Sequence, residues 1–477
     1  MIVAASAIGA MACGPGSSAV APPTGQILLH FDTDAPVPAA PGKMLAQDEP
    51  APLFDTLSVE VFEPGQTEPC RGCAREFAVD LDKLRAGALS IGIPTRPGIA
   101  GYRVRVRLFP VAWLTACPAD GAGVATGEAV TRLYPRPEAT IEVTAELPPV
   151  GVDGIVDRTV FLATDAVGVA QGSLAAPAET SEGTPGVSKV GSWPGAQRVI
   201  CAGEPRPDEV CVPGGAYWMG NPRARTDCGA FSSTNFLVPH LVVLSPFFLQ
   251  MTEVTVGQFR SGGGDPRNIR VWGGRYNSGS ALADRCTFTK SPGPHESVPI
   301  NCIEWSNASD FCRKRGGDLP TEAQWEFVGS GLSSRFYVWG EEPPTCDDSV
   351  WGRAAETSGS AFPCSQPKSD PGVRAVDADS LERYRRLDRL SLPTGTVFDL
   401  MGNVAENTLD FYDPPNGSCW SQSGILTDPV CERGTSAGRA FRGSAWLWGP
   451  GNAASRGGLP ALQSAVSIGF RCARPGI

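Results

Sequence analysis

The sequence predicts a mixed protein: an all-β sandwich of immunoglobulin-like type, then an α+β domain built from short elements. Three observations lead there. Segments between residues 26 and 147 alternate apolar and polar side chains with period two and end at Pro, Gly or Asp. Gly 56 and Pro 44 in a chain of 477 residues favour turns over long helices. The helix signatures that stand out are short and lie beyond residue 300.

At 477 residues the chain has room for two to three domains. Hydrophobic residues at 42% against 19% charged supply a sizeable core. A net charge of -10 leaves no electrostatic footprint for nucleic acid. Fifteen cysteines against three histidines, without repeated C-x-x-C pairs, read as disulfides in an oxidising compartment. Residues 2–12 are small and apolar and run directly into Cys13. The run is too short to span a bilayer and reads as a lipoprotein signal, although no basic segment precedes it. Lipidation at Cys13 makes the protein exported and membrane-anchored, in the periplasm or at the cell surface. The expected layout is a signal and tether over 1–24, a sandwich over 25–164, a linker over 165–200 and a second domain over 201–477.

Within the sandwich region, Tyr102-Arg103-Val104-Arg105-Val106-Arg107 places three arginines on one face and apolar residues on the other. That face is either a binding surface for an acidic polysaccharide or the solvated side of a strand. Cys70-Arg71-Gly72-Cys73 precedes a strand-like run rather than a helix, which favours a structural disulfide over a redox motif, with Cys117 a further cysteine nearby. Residues 165–202 are rich in Ala, Gly, Ser, Thr and Pro, hence the linker.

Five segments organise the second domain. The first is Val212-Pro213-Gly214-Gly215-Ala216-Tyr217-Trp218-Met219-Gly220. The second holds His240-Leu241-Val242-Val243-Leu244, Phe247-Phe248-Leu249 and Thr252-Glu253-Val254-Thr255. The third runs from Val298-Pro299-Ile300-Asn301 through Trp305 and Cys312 to Pro320-Thr321-Glu322-Ala323-Gln324-Trp325-Glu326-Phe327. The fourth is Asp399-Leu400-Met401-Gly402-Asn403-Val404-Ala405-Glu406-Asn407. The fifth is Arg442-Gly443-Ser444-Ala445-Trp446, closing with Ile468-Gly469-Phe470-Arg471-Cys472-Ala473-Arg474. Read alone, Thr321 and Gln324 form a capping box that starts a helix, and residues 301–315 carry an amphipathic pattern. Spacing suggests local disulfides for Cys201/Cys211, Cys346/Cys364 and Cys419/Cys431.

In order and spacing these segments resemble the formylglycine-generating enzyme (sulfatase-modifying factor) family. The resemblance implies an irregular α+β domain related to C-type-lectin-like folds and a disulfide between Cys312 and Cys472. It also implies a calcium site in which Asp399 and Glu406 give carboxylate oxygens and Gly402 and Val404 give carbonyls, with Asp399 standing where the family usually has Asn. Active members carry two cysteines just after the Gly-Gly-Ser motif, which hold copper(I) for oxygen activation. Here Trp448 falls near the first position and Ala453 near the second, and no cysteine occurs between Cys431 and Cys472. Indole and methyl groups cannot ligate copper. A 2-His-1-carboxylate iron site or a Ser/His/Asp triad is equally short of histidines, with only His30, His240 and His295 present. The expectation is a non-catalytic module that binds a protein, peptide or glycan, with a candidate pocket at Trp446, Trp448 and Arg456. The alternative is a metal-dependent oxidoreductase of the same superfamily.

Overall fold

The computed structural model describes residues 25–43, 49–115, 134–220, 237–269, 285–353, 364, 372–415, 417–434 and 437–477. The lipidation site expected at Cys13, the 1–24 tether and Cys117 lie outside the described residues.

Period-two alternation becomes two four-stranded sheets. One orders Ser181–Glu182, Ile155–Leu162, Gly25–Thr33 and Ser90–Thr95, with Gly25–Thr33 parallel to Ile155–Leu162 and antiparallel to Ser90–Thr95. The other orders Ala74–Ala78, Thr56–Phe62, Tyr102–Phe109 and Ile141–Leu147, all antiparallel. Ile27, Leu29 and Ile93 from the first sheet and Val59, Val104, Val106 and Ile141 from the second share one core. The N-terminal part is therefore mainly β around a single core, to which the one-turn helix Leu81–Arg85 adds Leu81 and Leu84. Its four-plus-four arrangement differs from the four-plus-three of an immunoglobulin constant domain.

On the arginine face of Tyr102–Phe109, Arg105 and Arg107 are paired internally with carboxylates, and Arg103 is held by a backbone carbonyl. Arg107 Nε lies 2.6 Å from Glu142 and its Nη1 3.1 Å from Glu60, Arg105 Nη1 is 3.3 Å from Glu60, and Arg103 donates to the Leu174 carbonyl. The carboxylates come from neighbouring strands, a pairing that one strand's sequence does not reveal.

Residues 165–200 are not a free linker. Ser181–Glu182 adds a strand edge, and the amides of Thr144 and Glu146 donate to the carbonyls of Gln171 and Ala178 at 2.8 and 2.9 Å. Val167, Val190, Trp193 and Ala196 are buried in the sandwich core, and the Trp193 indole donates to Asp165 at 2.7 Å. Composition hides this because four well-placed apolar side chains suffice once the backbone finds partners on an exposed sheet edge.

The two halves also share a core. Trp218, on Gly215–Met219, donates from its indole to the Leu53 carbonyl at 2.7 Å and meets the Phe54 ring edge-on at 5.6 Å. Beyond it the chain forms small sheets and short helices. Gly215–Met219 pairs with His240–Leu244, and Phe247–Gln250 lies between Glu209–Val212 and Ala473–Pro475. A third sheet orders Arg456–Pro460, Gly438–Arg442, Ala405–Phe411 and Ile468–Gly469. The helix Glu322–Gly329 starts at the Thr321 capping box, both of whose bonds form, with Gln324 as the partner. The helix Trp305–Lys314 buries Ala308, Phe311 and Cys312, and Phe311 stacks on Phe259 with ring centres 5.2 Å apart. Disulfides join Cys312 to Cys472, Cys201 to Cys211, Cys346 to Cys364, Cys419 to Cys431, Cys286 to Cys302, and Cys70 to Cys73. No described helix is long and apolar enough to cross a membrane.

Candidate functional site

The fourth and fifth segments meet in the interior of the C-terminal half. Between Gly395–Phe398 and Ala405–Phe411 the chain turns sharply, with Asp399 and Asn403 in the left-handed region at φ 58 and 62. A side chain at Gly402 would meet the Ser349 hydroxyl and lie 2.7 Å from the Val350 carbonyl oxygen, so only glycine fits there. Asn403 holds the loop by accepting from the Arg374 amide at 2.8 Å.

The carboxylates of this loop are fully buried and already met by guanidinium groups. Arg385 Nε and Nη2 lie 2.6 and 2.8 Å from the two Asp399 oxygens, and both side chains are 0% exposed. Arg471 Nε and Nη2 each lie 2.7 Å from one Glu406 oxygen, and the Trp325 indole donates to Glu406 at 3.0 Å. A third carboxylate, Glu253, is buried beside them. Burial, then the neighbouring Asp399 charge, pushes its carboxyl well above the usual range. Calcium needs free oxygens, and all four carboxylate oxygens of Asp399 and Glu406 are engaged. Asp399 and Glu406, so paired, do not fit the cation; of the three carboxylates only Glu253 keeps a buried oxygen without a hydrogen-bond partner.

A second buried ionic layer lies on the Glu322–Gly329 helix. Glu322 accepts both Arg456 Nε and Nη2, at 2.7 and 2.6 Å, and sits 2.8 Å from Arg442 Nε. Glu326 takes Arg442 Nη1 at 2.6 Å and the Gly220 amide at 2.6 Å. Burial raises the Glu322 carboxyl, but Arg456 and Arg442 outweigh it and hold it below the usual carboxylate range. Asp410 accepts the amides of Glu322 and Cys431 at 2.7 Å each. Burial, followed by the Glu322 charge, nevertheless pushes its carboxyl up to about 7.

That shift has a defined sign. The folded protein keeps a proton on Asp410 that the unfolded chain releases near 3.8. The associated stability is complete below the unfolded value and is lost as pH rises through about 7. Melting curves of Asp410→Asn and the unaltered protein, taken over about pH 4 to 8, are expected to show the unaltered protein losing ground steadily as pH rises. A constant difference between the two would remove Asp410 as the source.

The fifth segment places its residues in separate packing units. Trp446 is buried, with its amide on the Asn403 carbonyl at 2.9 Å and its indole on Val466 at 3.2 Å. Trp448 is half-buried against Phe441, with ring centres 5.7 Å apart. Ala453 is buried and its amide donates to Phe336 at 2.9 Å, while Arg456 belongs to the Glu322 pair. Every cysteine among the described residues is in a disulfide. The sulfurs of Cys419 and Cys431 approach the Asp413 carboxylate, all within 4.8 Å, yet they are bonded to each other. His30 pairs with Asp157 at 2.9 Å, and His240 is buried under Trp420 with its Nδ1 on the Val238 carbonyl at 2.8 Å.

Residues 199–475, more than half of the chain, match the model of the sulfatase-modifying factor enzyme 1-like domain. The chain belongs to that family. The sulfatase-modifying-factor domain begins ahead of the strand Glu209–Val212, includes the strand that seats Trp218 on the sandwich and ends at the last strand, with the sheet-rich, helix-poor fold described above. It is similar to the formylglycine-generating enzyme of Streptomyces coelicolor, 28% identical over 261 residues covering 52% of this chain and 70% of that protein. It is also similar to the inactive C-alpha-formylglycine-generating enzyme 2 of Mus musculus, 26% identical over 186 residues, 37% of this chain and about half (49%) of the mouse protein. Among solved structures, PvdO from Pseudomonas aeruginosa is covered completely (100%) by 57% of this chain, at 18% identity and a TM-score of 0.38.

Sequence reasoning quoted Glu322, Glu326, Arg442 and Arg471 within motifs but read those motifs as fold signatures. Arg385 lay in no motif. The one signal available was the charge at Asp399, where a neutral amide is usual and a buried carboxylate requires a counter-charge.

Proposed function

We propose that this protein is an exported, lipid-anchored member of its family whose sulfatase-modifying-factor domain binds or scaffolds a protein, peptide or glycan and does not oxidise cysteine. One observation carries the reading. Trp448 and Ala453 fall near the two positions where active family members hold copper(I) with thiolates, and no cysteine lies between Cys431 and Cys472 to replace them. The second buried ionic layer supports it, since Arg456, Glu322 and Arg442 are held by one another in the interior and are committed to ion pairs. The name of the mouse relative records a relative without the activity. The shared core between sandwich and domain suits presentation of loops from a rigid body, with the sandwich as the membrane-side spacer.

The test is direct. Full-length protein, supplied with copper(I) and a sulfatase-type cysteine peptide, is expected to form no aldehyde and consume no oxygen above a protein-free control. Turnover dependent on the protein restores the oxidoreductase reading.

A further inference from the structure

We propose that Arg385 and Arg471 together take the place of a bound divalent cation in the 399–406 loop, so that this half of the chain holds its fold without calcium. Each guanidinium engages both oxygens of one carboxylate, Arg385 on Asp399 and Arg471 on Glu406, with all four side chains 0% exposed. The two guanidinium groups bring the same total charge as one divalent ion. They deliver it through planar forks that match carboxylates, the geometry in which buried arginine pairs are strongest.

Both arginines are anchored well beyond the carboxylates. Arg385 Nη1 donates to the Ser380 carbonyl and hydroxyl at 3.2 and 3.0 Å, and its Nη2 to the Arg374 carbonyl at 3.4 Å. Arg471 Nη1 donates to the carbonyls of Gln250 and Met251 at 3.2 and 3.3 Å, and its Nη2 to those of Phe398 and Asp399 at 2.8 and 3.3 Å. Such positions are built, and a cation entering the loop would leave at least one guanidinium buried without its partner. The residue at 399 fits the same logic. A neutral amide there offers a metal one oxygen but gives a buried arginine no counter-charge, whereas Asp399 supplies it.

The experiment uses the full chain and calcium alone as probe. Unaltered protein is expected to melt within about 1 °C in calcium and in chelator, and to retain no stoichiometric calcium after dialysis. Arg385→Ala frees the Asp399 carboxylate and is expected to convert the protein into one that melts higher in calcium. Should that variant not fold on its own, refolding it in calcium and in chelator reads the same point, and calcium alone is expected to restore a folded chain. At calcium about 100 times its dissociation constant the variant is expected to gain roughly 5 °C. One calcium per chain in the unaltered protein, lost in Asp399→Asn, overturns the proposal. So does an Arg385→Ala variant whose melting and refolding are both indifferent to calcium.

Discussion

Glu322→Gln is expected to destabilise the C-terminal half by about 3–5 kcal/mol, the cost of removing one partner from a buried ion pair. The substitution keeps the shape and removes the charge. Arg442 retains Glu326 at 2.6 Å, but Arg456 loses the carboxylate that both its Nε and Nη2 engage. Arg456 also donates to the Asp413 carbonyl at 2.7 Å and lies over the Tyr412 ring at 4.7 Å, neither of which neutralises it. Urea denaturation reads the loss. Adding Arg456→Met to Glu322→Gln is expected to recover part of it, because the orphaned charge leaves with its partner. Strict additivity of the two changes would show that Arg456 and Glu322 do not act as a pair. The pH sense follows from the depressed Glu322 carboxyl: its stabilisation is present above the unfolded value and is lost as pH falls below it. This opposes the Asp410 contribution, and because the Glu322 charge helps raise Asp410, Glu322→Gln is expected to weaken the Asp410 pH dependence as well.

Removing the Cys312–Cys472 bond by Ser substitution at both positions is expected to cost about 5 kcal/mol on the chain-entropy account. The bond spans a sequence separation of 160, against 10 for Cys201–Cys211, whose loss is expected to cost about 3 kcal/mol on the same account. It joins the Trp305–Lys314 helix to the end of the chain, beside the paired backbone bonds of Asp318 and Ala473 at 2.8 and 2.9 Å. Thermal melting of the two double variants orders them. A larger loss at Cys201/Cys211 would sink the loop-length argument for this fold.

Local signals were legible because their causes are local. The Tyr102–Phe109 alternation states which face is apolar, and Thr321 with Gln324 states where a helix begins. The 165–200 segment was not legible, because its order comes from the carbonyls of Gln171 and Ala178 reaching the amides of Thr144 and Glu146 on another strand. Composition carries no information about a backbone partner. The same limit applies to the candidate pocket. Trp446, Trp448 and Arg456 lie within eleven positions of one another, yet the folded chain sends them to a buried core, the Phe441 ring and the Glu322 pair.

By itself the sequence determined the family, the strand-rich character of the first part, and the lack of any cysteine between Cys431 and Cys472, since each depends on which atoms are present in a known order. Only the tertiary structure decided how the buried charges are settled. Glu322 meets Arg456 across 134 positions and Glu406 meets Arg471 across 65, while Asp399 meets Arg385 across 14. A carboxylate's partner is whichever cation the fold brings within about 3 Å in a site without water, and distance along the chain does not encode that meeting.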